Sequence, residues 1–147
     1  MNTKNKTAII LGATGLTGNL LVNKLITDDR YSKVKLFTRK PLRLENPKVT
    51  EILCDLLDSD SYKDNFYGDE VFCCIGTTTK KTPDKELYRQ IDYGVPVGAA
   101  KLCKQNGIDT FLVMSSLGAD AKSKVFYSRT KGEMEEAVME QNIKNTY

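Results

Sequence analysis

A chain of 147 residues that is 40% hydrophobic and 28% charged has the composition of one ordinary soluble domain. Folding at this size buries roughly 70% of the surface that the unfolded chain exposes, so neither a disulfide nor a metal is needed to complete a core. Twenty-two basic residues against 19 acidic ones, mixed along the chain, make a poor case for nucleic acid, and no apolar run approaches the ~18 residues of a membrane span.

The polar start, Met1 to Lys6, lacks the apolar centre of a secretory signal, so a cytoplasmic location is expected. The first apolar run, Thr7 to Leu11, reads as a strand. It leads through Gly12-Ala-Thr-Gly15-Leu-Thr-Gly18 into an amphipathic helix, Leu16 to Thr27. In that setting Gly12 permits a tight turn, Gly15 lets the backbone approach a pyrophosphate, and Gly18 lets the helix pack closely on the strand. Free amides and the dipole at the helix start favour an anion, so Thr14, Leu16 and Thr17 join the three glycines as candidate cofactor contacts.

A second strand, Val34 to Thr38, follows. At its end, about 20 residues beyond the turn, a site for NAD carries a carboxylate toward the adenine ribose. This chain has Thr38-Arg39-Lys40 instead. The acid that would repel a 2′-phosphate is missing and Arg39 can pair with one bidentately, which favours NADP(H) over NAD(H); the other reading makes Arg39 and Lys40 solvated loop charges. A third strand, Val49 to Leu53, precedes Cys54-Asp55-Leu56, where Asp55 either accepts from the adenine amino group or is an exposed loop aspartate.

After a helix expected over Asp58 to Phe66, the fourth strand, Val71 to Ile75, runs into Gly76-Thr77-Thr78. This is the carboxyl edge at which such sheets bind ligands. Gly76 then lets a cofactor ribose and phosphate approach the backbone, with Thr77 as a hydrogen-bonding neighbour, or it simply ends a strand. A long helix, Asp84 to Gln105, a fifth strand, Thr110 to Met114, and a last helix, Phe126 to Gln141, complete the alternation. Cys54, Cys73, Cys74 and Cys103 lie in apolar runs, and there is neither a CxxC pair nor any histidine. The cysteines therefore read as reduced core residues, and no metal or imidazole base is expected.

Strands alternating with helices imply an α/β fold, a Rossmann-like doubly wound parallel sheet with helices on both faces. Five strands in the order 3-2-1-4-5 are expected in a single domain covering residues 1–147, with Ile143 to Tyr147 as the approach to a sixth strand that is missing. The fifth-strand edge would then be covered by another chain, whether a protein partner or a second copy.

In the last helix, Tyr127 and Lys131 are four residues apart and share a face. An ammonium beside a phenol favours tyrosinate and brings a weak acid toward the working range of proton transfer. Ser116, where the fifth strand ends, is a candidate to hydrogen-bond a substrate carbonyl or hydroxyl.

Gly12-Ala-Thr-Gly15-Leu-Thr-Gly18, Phe72-Cys-Cys-Ile-Gly-Thr-Thr78, Ser115-Ser-Leu-Gly-Ala-Asp120 and Tyr127-Ser-Arg-Thr-Lys-Gly-Glu133 together resemble the atypical short-chain dehydrogenases/reductases. The likeness is greatest to the Tat-interacting-protein branch and to small bacterial NAD(P)H-binding, epimerase-like relatives. It implies NADP(H) binding, Tyr127 as proton donor or acceptor, Lys131 on the nicotinamide ribose, and Ser116 or Ser115 polarising a small carbonyl or alcohol substrate. Two departures accompany it. Ile91-Asp92-Tyr93 stands where many relatives place an asparagine that supports a proton relay, and the sixth strand and C-terminal lobe of the family are expected to be absent. An NADPH-dependent oxidoreductase is the first functional reading. A non-catalytic module that senses NADP(H) and regulates a partner protein is the second, and no role with nucleic acid or membrane is expected.

Overall fold

The computed structural model describes residues 5–147, so most of the polar start, Met1 to Lys4, lies outside the described residues. Among them, six parallel strands form one sheet in the order β3-β2-β1-β4-β5-β6. The strands are β1 (Lys6–Leu11), β2 (Tyr31–Thr38), β3 (Val49–Leu53), β4 (Glu70–Cys73), β5 (Thr110–Val113) and β6 (Asn145–Thr146). The helices are α1 (Leu16–Thr27), α2 (Lys85–Arg89), α3 (Val95–Gln105) and α4 (Phe126–Met139). None is long and apolar enough to cross a membrane.

The central strand shows why the sheet is wound on both faces. Ala8, Ile9, Ile10 and Leu11 are all fully buried, although alternate residues of a strand point to opposite sides. Ile9 and Leu11 join Phe37, Val71, Cys73 and Phe111 beneath α3 and α4, with Met134 and Val138 packed from above. Ala8 and Ile10 join Val34 and Leu36 beneath Val22 and Leu25 of α1.

Two expectations need correction. The sixth strand is present: Asn145 donates to the Asp109 carbonyl at 2.9 Å, Tyr147 to Phe111 at 3.0 Å, and Val113 to Tyr147 at 3.0 Å. The five-stranded order 3-2-1-4-5 is therefore extended by β6, and the edge of β5 is covered by this chain's own residues rather than by a partner. The helix expected over Asp58 to Phe66 is instead a pair of 3₁₀ turns, Ser59–Ser61 and Lys63–Asn65. There the Ser61 hydroxyl donates to the carbonyls of Asp55 and Asp58, a local bond that competes with a regular helix.

The long helix expected over Asp84 to Gln105 is continuous over residues 85–105, as α2 and α3 joined by a π-turn, Gln90–Gly94. Pro96 gives the reason. It has no amide to donate to the Asp92 carbonyl four residues back, and its ring crowds that carbonyl, so the turn before it widens.

Candidate functional site

The glycine-rich turn is built around two close approaches. Gly12 has φ +90°, and a β-carbon there would lie 2.7 Å from the Cys74 carbonyl oxygen. One on Gly18 would lie 1.9 Å from the Gly12 carbonyl oxygen, so α1 sits directly on the end of β1. Gly15 differs: it is in extended backbone at φ −77°, ψ 169°, and a β-carbon there would make only an ordinary contact at 3.6 Å. Gly15 is thus not required by packing. It does let the backbone be approached from outside, where Thr14, Leu16 and Thr17 are also exposed.

The mouth of α1 is unsatisfied. No side chain caps Gly15 and no acid lies in the first turn. Among the described residues the amides of Leu16, Thr17 and Gly18 donate to no protein acceptor. Orphan donors on a helix dipole attract an anion.

Beside this mouth runs a crevice at the carboxyl ends of the central strands. It consists of two cavities of about 320 and 310 Å³ that share Arg39, Leu56 and Ile75. Gly12, Thr14 and Lys40 line one; Asp55, Gly76 and Thr77 line the other. These sequence-chosen residues therefore meet, whereas Gly15 to Gly18 lie outside both cavities. Arg39 and Lys40 are exposed, and neither pairs with a carboxylate among the described residues. The Asp55 carboxylate accepts from the Leu57 amide at 3.0 Å, which holds the loop beyond β3 in place. Orphan amides, an unpaired guanidinium and apolar walls suit the diphosphate, phosphate and base of a dinucleotide.

Across Thr82, which the second cavity shares, lies a third of about 330 Å³, walled by Tyr127, Phe126, Tyr88 and Lys85. Tyr127 is half exposed at 49%. Lys131, one turn further along α4, is buried, and its ammonium lies 3.6 Å from Oδ2 of Asp92. Gly132 places this helix, since a β-carbon there would meet the Ala121 nitrogen at 2.0 Å. Ser115 and Ser116 line none of the three cavities. The Ser115 hydroxyl donates to Glu135 of α4 at 2.6 Å, and Ser116 is exposed.

Asp92 was not among the sequence candidates for the site. It is fully buried, and Oδ1 accepts the Thr77 amide at 2.9 Å. Beside it, burial pushes the Tyr88 phenol above its ordinary range, and the Asp92 carboxylate adds to the effect. A lone acid in the apolar stretch Ile91 to Val97 was the available signal.

A family model described as NAD(P)H-binding matches residues 12–146. Protein HTATIP2 of Rattus norvegicus is 36% identical over 141 residues, covering 93% of this chain and 58% of that protein. Protein FMP52, mitochondrial, of Candida albicans is 32% identical, covering 93% and 62%. The chain thus spans about three fifths of the length of the curated relatives it matches. Among solved structures, Pen from Bacillus thuringiensis superposes with a TM-score of 0.80 at 16% identity, covering 100% of this chain and 50% of that one. The Bordetella bronchiseptica enzyme WbmG in complex with NAD gives 0.79 at 14%, covering 97% and 52%. Both share the fold.

Proposed function

The chain belongs to the NAD(P)H-binding family, an atypical short-chain dehydrogenase/reductase-like Rossmann domain, and we propose that it is an oxidoreductase that uses NADP(H) in the crevice beside the glycine-rich turn. The observation that carries the choice of coenzyme is Arg39. It stands where the second strand ends, lines both halves of the crevice, and is in no ion pair with a carboxylate among the described residues, which leaves its guanidinium for a 2′-phosphate.

When bound, the nicotinamide supplies or accepts the hydride. The protein's own part is to bind, orient and move a proton. The amides of Leu16, Thr17 and Gly18 receive the diphosphate, and Arg39 and Lys40 receive the 2′-phosphate. Lys131 serves the nicotinamide ribose. Tyr127, on the wall of the third cavity, gives its phenolic proton to a substrate alkoxide in reduction and takes it back in oxidation. Ser116, whose hydroxyl is not engaged by Glu135, is the serine assigned here to polarise the substrate oxygen.

Titration with NADPH and NADH, in the wild type and in Arg39→Asp, tests the coenzyme reading. Loss of a charge-assisted phosphate contact is worth about 2–3 kcal/mol, so NADPH affinity is expected to fall by roughly 30- to 150-fold while NADH affinity changes little. Equal binding of the two coenzymes by the wild type refutes the preference, and no binding of either refutes the function.

A further inference from the structure

A cavity with aromatic walls and one cation on its rim selects for apolar surface and for negative charge together. The third cavity, beside Thr82, has this character. At about 330 Å³ it stands at the small end of ligand pockets, which run from roughly 300 Å³ upward, so it suits one or two rings rather than a long chain. Pro83, Tyr88, Phe126 and Tyr127 give it apolar walls. The Tyr88 and Phe126 rings pack with centroids 5.6 Å apart, a tilted pair that presents a fixed aromatic surface. Burial pushes the Tyr88 phenol upward, so it brings no negative charge to that wall.

Lys85 is the one charged residue lining this cavity among the described residues. Its ammonium lies 5.4 Å from the centre of the Phe126 ring and is in no ion pair among them. The acids adjoining it in the chain do not serve it. The Asp84 carboxylate accepts the Leu87 amide at 2.8 Å, as the cap of α2, and Glu86 is exposed and lines no part of the cavity. Arg129 brings a second cation to the same ring, with its guanidinium 5.8 Å from the centroid and donating to the carbonyls of Ser123 and Lys124. Two cations thus flank Phe126, neither is neutralised by a carboxylate among the described residues, and Lys85 is the one that reaches the cavity. An ammonium packed on a ring keeps hydrogen-bond donors free for an anion.

We propose that this cavity takes an aromatic substrate that carries a carboxylate, with Lys85 as the specificity-determining residue. The inference rests on the reading that Tyr127 serves the substrate, and it narrows that substrate to aryl oxo acids and aryl hydroxy acids. Tyr88 and Phe126 receive the ring and Lys85 receives the carboxylate. Tyr127 borders the same cavity from α4, and Thr82 joins the cavity to the crevice, so a ligand anchored at Lys85 is held beside the phenol. An uncharged aryl compound gains the ring contacts alone, and an aliphatic acid gains the charge alone.

The test is calorimetric titration of the chain, with and without NADPH, by naphthoate, by its uncharged amide naphthamide and by acetate. Naphthoate is expected to bind the wild type about tenfold more tightly than naphthamide, the worth of one charge-assisted hydrogen bond, and at least ~10-fold more tightly than acetate. Lys85→Met, which keeps a stem on Phe126 and removes the charge, is expected to bring naphthoate and naphthamide within about twofold of each other, and Lys85→Arg to restore the difference. A lysine with a merely structural role would weaken both ligands alike. A wild type that binds NADPH but holds naphthoate no better than naphthamide or acetate, or binds none of the three, overturns the substrate class alone. A preference that survives Lys85→Met overturns the assignment of Lys85 and the proposal with it. Naphthoate held through Lys85 by a wild type that takes no coenzyme supports the aryl-anion site and overturns the proposed function.

Discussion

Replacing Gly15 and Gly18 by alanine, one at a time, separates the two tasks of the glycine-rich turn. A methyl at Gly18 would lie 1.9 Å from the Gly12 carbonyl oxygen and 2.7 Å from its carbon, where ordinary contact begins at 3.4 Å. Both obstructing atoms are backbone, so no side chain can swing away and α1 must lift off β1. Overpacking of this kind costs about 3 kcal/mol, the upper end of the usual range, or roughly 10 °C in Tm for a domain of this size. At Gly15 the methyl would make an ordinary contact at 3.6 Å in a conformation open to any residue. Stability is expected to hold or to rise by up to about 1 kcal/mol, because alanine has less freedom to lose on folding. That same methyl stands where a diphosphate would meet the backbone, so affinity for NADPH is expected to fall at least ~10-fold, equivalent to about 1.4 kcal/mol. Urea unfolding measures the first quantity and coenzyme fluorescence titration the second. Wild-type affinity in Gly15→Ala would show that no ligand approaches that backbone, and wild-type stability in Gly18→Ala would refute the packing argument.

Tyr127→Phe is expected to lower kcat by about 10²- to 10⁴-fold with NADPH affinity nearly unchanged, since it removes a proton donor and little contact area; steady-state kinetics and titration check this, and parallel loss of both would mark the phenol as structural. Gly132→Ala would drive a methyl to 2.0 Å from the Ala121 nitrogen and displace α4, so turnover should be lost and thermal unfolding lowered while the β1–α1 unit stays folded, as amide hydrogen exchange would report. The Arg30 guanidinium holds the Asp28 carboxyl down at about 2 from 3.8. Its stabilising effect is present above about pH 4 and lost as pH falls through 2, so Arg30→Gln should flatten that part of a urea-midpoint profile, and an unchanged profile would show the pair to be idle.

What could be read from the residue pattern divides along physical lines. The β1–turn–α1 unit was legible because its determinants are local: an apolar strand, glycines at fixed spacing and a helical periodicity adjoin in the chain. The sixth strand was read only as an approach, since Asn145–Thr146 is too short for any alternation to show and is defined by its partners on β5. The widened turn within the long helix was signalled by Pro96 but not read, because its form depends on where the Asp92 carbonyl can go. The importance of Asp92 itself was hidden for a related reason. Its partners, Thr77 and Lys131, lie 15 and 39 positions away and on different elements, and only the packing of α4 on the π-turn brings them to one carboxylate. Ser115 and Ser116 could not be told apart in the chain, because the distinction comes from Glu135 on a helix that begins ten residues later.

Strand order explains how such distant residues form one wall. With β1 between β2 and β4, the chain leaves the end of β1 toward one face and returns beside β4 from the other, so a crevice opens between the two ends. Across that opening the contacts are continuous. Gly18 rests on Gly12, Gly12 rests on the Cys74 carbonyl, the strand of Cys74 continues into Thr77, and Thr77 is held by Asp92, which faces Lys131. Every link is a backbone contact, a hydrogen bond to a buried group or a buried ion pair, and none is a long exposed side chain. The spacing between the uncapped mouth of α1 and Lys131 is thereby set before any ligand arrives. A ligand gripped at both ends, as proposed above, would then avoid the cost of ordering the groups that grip it, which is how preorganisation converts a small contact area into affinity.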